Sequence, residues 1–176
     1  MNDDPHPHGG GSAPAGGKTG NDLSQSLRND QGRAIDVGAL ASAAMSDKQS
    51  RTTYSLGQVN RSNVEAVARG TKGRVLLDGY QRTAGSDELR HALSSHGSQK
   101  KEATRGQRAI TVADLNRIGA ITSKPDFASP SPKQWRGADC LAYEKTIDGE
   151  RFVYVEAIFA KDAKVRFVSL RVHTHK

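Results

Sequence analysis

The chain has 176 residues, one cysteine, and 26 Lys and Arg against 19 Asp and Glu, a formal charge of +7. That length suits one ordinary domain; the lone Cys140 excludes an intrachain disulfide and a thiolate metal cluster, and no apolar run approaches the roughly 20 residues of a membrane span. Residues 1–50 carry four Lys/Arg against six Asp, whereas residues 51–176 carry 22 against 13, a net of +9 whose expected partners are polyanions.

Residues 1–20 are Gly, Pro, Ala and polar residues, too poor in apolar side chains to offset their ordering entropy. His6 and His8 belong to that segment and read as solvated tail. No basic region followed by an apolar one opens the chain, so a Sec-type signal is not expected. A weakly helical patch runs around Ile35 to Met45. The boundary is placed near Arg51, with 1–51 as a flexible Gly/Pro-rich linker, mostly disordered, and 52–176 as the basic domain.

Asn60 to Gly70 has the pattern of a short helix with an Asn or Ser cap and a closing glycine. Val75-Leu76-Leu77 is a brief apolar run with the character of a first strand. Ser86 is placed to cap a helix whose apolar face is Leu89, Ala92 and Leu93, ended by Gly97. Thr111-Val112-Ala113-Asp114 has capping-box spacing and opens a helix through Leu115 and Ile118, closed by Gly119. Pro125, Pro130 and Pro132 mark a loop. From Ala138 the period becomes two: strands around Leu141–Ile147, Phe152–Phe159 and Val165–Val172 are joined by Asp148-Gly149 and Lys161-Asp162. The fold class is α+β, with N-terminal helices packed on an antiparallel sheet that ends in a three-stranded C-terminal meander.

The chemistry-bearing residues cluster in the middle of the chain. His91 and His96 lie five residues apart in one predicted helix, followed by Arg105-Gly106-Gln107. Imidazole transfers protons near neutral pH, and arginine suits bidentate contact to phosphate. RNA cleavage without a metal needs a base for the 2′-OH, an acid for the leaving 5′ oxygen, and cations where charge builds. His91 and His96 are the candidate proton-transfer pair. Five helical residues separate them by about 140° around the axis, so one reaches a cleft and the other has a structural place. The alternatives are a core histidine for His91, a helix-end cap for His96, and an i,i+3 pair with Glu102 for Arg105. Arg90 and Arg105 are expected to disfavour the imidazolium forms. Lys145 shares a strand face with Tyr143 and offers a cation. Lys100, Lys101, Arg108, Tyr143 and Arg171 complete the candidate substrate contacts. Glu156, inside an apolar strand, either faces solvent or orients a basic residue. Trp135 either stacks a base or plugs the core. His173 and His175 read as a polar tail, and no ligand set for a metal is found.

In order, several segments resemble one family. They are Leu56-Gly57-Gln58-Val59, His91-Ala92-Leu93-Ser94-Ser95-His96-Gly97, Glu102-Ala103-Thr104-Arg105-Gly106-Gln107, Ile110-Thr111-Val112-Ala113-Asp114, Tyr143-Glu144-Lys145-Thr146-Ile147-Asp148-Gly149 and Tyr154-Val155-Glu156. Over residues 54–172 the chain is similar to the phage-associated branch of the barnase–EndoU–colicin–RelE-like nucleases, found as C-terminal domains of phage head-morphogenesis proteins and polymorphic toxins. The final strand of such domains ends in Ser/Thr and an aromatic; here it runs Ser169 to His175, leaving the catalytic hydroxyl between Ser169 and Thr174. The resemblance implies a cofactor-free endoribonuclease toxin that cuts tRNA or other RNA to a 2′,3′-cyclic phosphate. It also implies an upstream delivery module, secretion or injection from a producer cell, action in the target-cell cytoplasm without a membrane partner, and an immunity protein, for which the +9 domain favours an acidic surface. The alternative is a non-catalytic nucleic-acid-binding module of a phage protein.

Overall fold

A computed structural model describes residues 26–96 and 98–174. Residues 1–25 of the expected linker, with His6 and His8, lie outside the described residues, as do Gly97 and His175. The helices are α1 (Val37–Ser46), α2 (Arg61–Gly70), α3 (Ser86–His96), α4 (Gln99–Ala103), α5 (Val112–Leu115) and α6 (Ile118–Ser123). The strands are β1 (Thr53–Gln58), β2 (Gln81–Gly85), β3 (Gln107–Arg108), β4 (Phe127–Pro130), β5 (Cys140–Ile147), β6 (Glu150–Phe159) and β7 (Lys164–His173). They form one sheet in the order β1-β2-β7-β6-β5-β4, with β3 against the far end of β7. The β2–β7 pair is parallel and the remaining pairs are antiparallel.

The C-terminal meander is present as β5–β6–β7. Its first hairpin turns on Asp148 at φ 51° and Gly149 at φ 79°, the positive dihedrals that match the right-handed twist of the strands. Alternation then splits the sheet into two faces. Leu141, Tyr143, Phe152, Tyr154, Phe167, Leu170 and Val172 are buried on the side packed against the helices, α6 on β5 and β6 and α3 on β7 and β2. The opposite parity, Glu144, Val153, Val155, Ser169, Arg171 and His173, keeps access to solvent.

Several expectations change. Leu27, Val37, Ala41 and Ala44 are buried in the core, because Asp36 caps α1 and α1 packs on α3 and α5; the domain therefore begins well before residue 52. Val75–Leu77 forms no strand; only Leu77 is buried there, and Leu76 stays exposed. The Ser86 hydroxyl accepts from Thr52 N at 3.1 Å and donates to Ser50 O at 2.9 Å, so it joins α3 to the approach of β1 rather than capping the helix. Thr111 and Asp114 form a full capping box, but the helix it opens stops at Leu115 and Gly119 lies inside α6.

Glu156 corrects the solvated-face reading. It is fully buried on the helix side, where Arg82 donates to its two oxygens at 2.8 and 3.0 Å. Tyr143 and Tyr154 donate hydroxyl hydrogen bonds to the same carboxylate at 2.7 and 3.0 Å, and Arg82 reaches Asn63 Oδ1 at 2.6 Å. Burial would strip the proton from Arg82, and Glu156 outweighs it, so the guanidinium is held charged. Burial and the neighbouring Glu156 charge keep both phenols protonated.

Candidate active site on the open face of the sheet

The open face is built from cross-strand rows. Register sets Phe127, Glu144, Val153 and Arg171 side by side across β4, β5, β6 and β7. Ala142, Val155 and Ser169 form the next row, and Thr146, Arg151 and His173 the row on the other side. Phe127 is 69% exposed, an aromatic ring standing free at the end of a row that finishes in a cation. Arg171 is exposed and makes no hydrogen bond or ion pair among the described residues. Arg151 meets Glu144 at 3.3 Å, so that pair is neutral overall.

His173 is half-buried at the end of β7. Burial first, then the charges of Arg151 and Arg171, pull its imidazole below its ordinary value against the opposing effect of Glu144. The neutral imidazole is thereby favoured, with Arg151 across the strand pair and Arg171 two residues back on β7.

The α4–β3 segment closes this end of the sheet. Gln107 pairs with His173, and Thr174 N donates to Gly106 O at 3.3 Å. Three residues beyond Gln107, Ile110 N donates to His96 O at 2.8 Å. One extended segment of about 10 Å therefore touches both histidines. The His96 ring has Nδ1 3.3 Å from Glu102 Oε2, and Arg105 reaches the other carboxylate oxygen at 3.2 Å. Glu102 is 1% exposed, so its contact fixes the orientation of the His96 ring.

The residues singled out from sequence divide accordingly. His96 and Arg105 share Glu102, Thr174 N is bonded to Gly106 O, next to Arg105, and Ser169 and Arg171 lie on the open face of the sheet. His91 is exposed on α3, with Ser95 Oγ at 3.2 Å; it shares an i,i+3 stripe with Glu88, which meets the open-face Arg166, so its stripe borders that face without joining His96. Lys145 lies on the helix side with Tyr143 and donates to Lys124 O, away from Ser169. Tyr143 is buried and spends its hydroxyl on Glu156, which removes it as a substrate contact. Arg108 is held by Asp114 and Glu150 and kept charged by them; two carboxylates leave it no surplus charge for a phosphate. Burial pushes Asp114 up, and Arg108 with Thr111 overrides it, holding the carboxyl below its usual range. Lys100 and Lys101 are exposed on α4. Among the described residues no group of three or more His, Cys, Asp or Glu stands together as a metal cage.

His173, Arg151, Glu144 and Phe127 escape a residue-by-residue reading of the sequence. A signal was present for one: Ser169, Arg171 and His173 share parity, so extending the strand by one residue puts His173 on the face of the other two.

The family model described as phage-Barnase-EndoU-ColicinE5/D-RelE like nuclease3 matches residues 62–176, more than half the chain. The chain belongs to that family. It is a nuclease of the barnase–EndoU–colicin–RelE type, and the matched span holds the open face from Phe127 to Thr174 together with α3, α4 and β3. No curated protein and no solved structure matches it.

Proposed function

We propose that this nuclease is a metal-independent endoribonuclease that cuts on the open face of the sheet, at the end of β7. The observation that carries the proposal is the row arrangement there: His173 faces Arg151 across the strand pair and follows Arg171 on its own strand, and the β3 segment paired with His173 runs on to bond the backbone of His96, whose ring Glu102 holds. His173 takes the 2′-OH proton, and the 2′ oxygen attacks the phosphorus. The bond to the 5′ oxygen breaks as His96 Nε2 supplies a proton to it, leaving a 2′,3′-cyclic phosphate. Arg171 and Arg105 stabilise the charge that builds on the phosphorane. Thr174 is a hydroxyl donor to the same phosphate, Ser169, two rows from His173, is a donor to the neighbouring nucleotide, and Phe127 offers a ring on which a base stacks.

The +9 domain after a Gly/Pro-rich segment fits a toxin module tethered to a delivery part and acting on tRNA or other RNA in a target-cell cytoplasm. An immunity protein with an acidic surface is the partner this charge favours. The test is the full chain with total RNA in EDTA, followed by end-group analysis. Cleavage with cyclic phosphate ends supports the reading, and intact RNA at several salt concentrations overturns it.

A further inference from the structure

We propose that the hairpin tip Trp135–Arg136 is a nucleobase-stacking subsite for single-stranded RNA, separate from the reacting end of the face. The inference rests on the RNA reading above and extends it to where a longer substrate runs. Trp135 and Ala138 exchange backbone hydrogen bonds at 3.0 and 2.9 Å, closing a two-residue turn with Arg136 at φ 50° and Gly137 at φ 77°. Glycine adopts that conformation freely, whereas arginine is strained in it. The Arg136 guanidinium lies 4.3 Å above the Trp135 ring centroid. Phe159 meets the same indole edge-on at 6.3 Å, and the Arg166 guanidinium lies 5.8 Å from it.

Arg166 is an open-face residue, opposite Ala157 in the register. Its Nη2 contacts both oxygens of Glu88 at 3.2 and 3.0 Å, and Arg136 stands 3.7 Å from the same carboxylate. A Cβ on Gly85 would lie 1.8 Å from Glu88 and 2.3 Å from Arg166, so that glycine leaves room for the ion pair on the sheet. Two guanidinium groups over one carboxylate leave a surplus positive charge. Arg166 Nε is buried with no partner, and the Arg136 side chain remains 67% exposed. A plug for the core needs an apolar ring, not a strained, exposed arginine laid over it. An aromatic–guanidinium platform with surplus charge suits a base and its phosphate. Arg166 and His173 are about 20 Å apart along β7, too far for a dinucleotide at the reacting end to reach the hairpin.

Trp135 is the only tryptophan of the chain, so its emission reports this site alone. The experiment titrates the full chain with a 2′-O-methyl decanucleotide and with the corresponding dinucleotide, following anisotropy of the labelled oligonucleotide and tryptophan emission together. The expected result is emission that changes in step with decanucleotide binding and stays constant with the dinucleotide. Arg136→Gly, in which glycine takes the same φ without strain, is expected to bind the decanucleotide about tenfold more weakly and to cleave a ribodinucleotide at the wild-type rate. Decanucleotide binding with unchanged emission, or unchanged affinity in Arg136→Gly, overturns the subsite while the RNA reading stands. Absence of any binding in the anisotropy overturns both.

Discussion

The two faces of the sheet carry similar residues and treat them in opposite ways. On the helix side, Arg82, Glu156, Tyr143, Tyr154 and Asn63 close a network in which the carboxylate accepts four hydrogen bonds from three side chains. On the open side, among the described residues, Arg171 makes no hydrogen bond or ion pair, Arg166 Nε is buried without a partner, and His173 lies near both Arg151 and Arg171. The other orphaned buried atom among the described residues, Gln107 Oε1, belongs to the residue paired with His173. A charge that is buried and fully answered serves the fold; a charge left over on an accessible face is available to a ligand.

Breaking the buried side gives the largest effect. Arg82→Met leaves Glu156 without its cation in the core and is expected to cost about 3–5 kcal/mol of stability in urea titration. Adding Glu156→Leu to that variant should recover much of the loss, since an apolar replacement of a whole buried pair is close to neutral. Arg171→Ala is the matching experiment on the open side: RNA cleavage should fall on the order of a hundredfold, with unfolding free energy changed by less than about 0.5 kcal/mol. If Arg171→Ala unfolds the chain, or Arg82→Met leaves stability untouched, the division between the faces fails.

Tyr154→Phe removes one donor to Glu156 and is expected to cost about 1–2 kcal/mol, measured by the same titration. Smallest of all, Lys145→Met should leave the cleavage rate within about twofold, because Lys145 is on the helix side and bonded to Lys124 O. A large loss of activity in that variant, with the fold intact, would place the chemistry on the wrong side of the sheet.

The meander, its Asp148-Gly149 turn and the Thr111–Asp114 capping box were legible because each is a local pattern: period two, a turn dipeptide, a three-residue spacing. The strands β1 and β2 were not. Gln81-Arg82-Thr83-Ala84-Gly85 has little strand character, and Arg82 is tolerated in the core only through Glu156, 74 positions away. The parallel β2–β7 pairing joins residues about as distant. The site was half legible for the same reason. His96, Arg105, Ser169 and Arg171 carry their chemistry in their identity, whereas Phe127 and Arg151 acquire meaning only when the register puts them in rows with Arg171 and His173. Tyr143 and Lys145 were correctly assigned one face; which face that is depends on where the helices pack.

His173 also ties stability to pH. Its folded value is depressed, so the neutral form is the one the fold prefers. That contribution is present above about 6.5 and is lost as the pH falls through the folded value. The same titration governs the chemistry, because an imidazolium cannot accept the 2′-OH proton. The decisive measurement is therefore the pH–rate profile for cleavage of an oligoribonucleotide by the full chain and by His173→Gln, with folding of both checked by circular dichroism. Wild type should lose activity on an acid limb below about pH 6.5, and His173→Gln should lose that limb together with about a hundredfold or more of the rate. A folded His173→Gln that cleaves at the wild-type rate with the acid limb unchanged would contradict the assignment of the chemistry to this end of the open face.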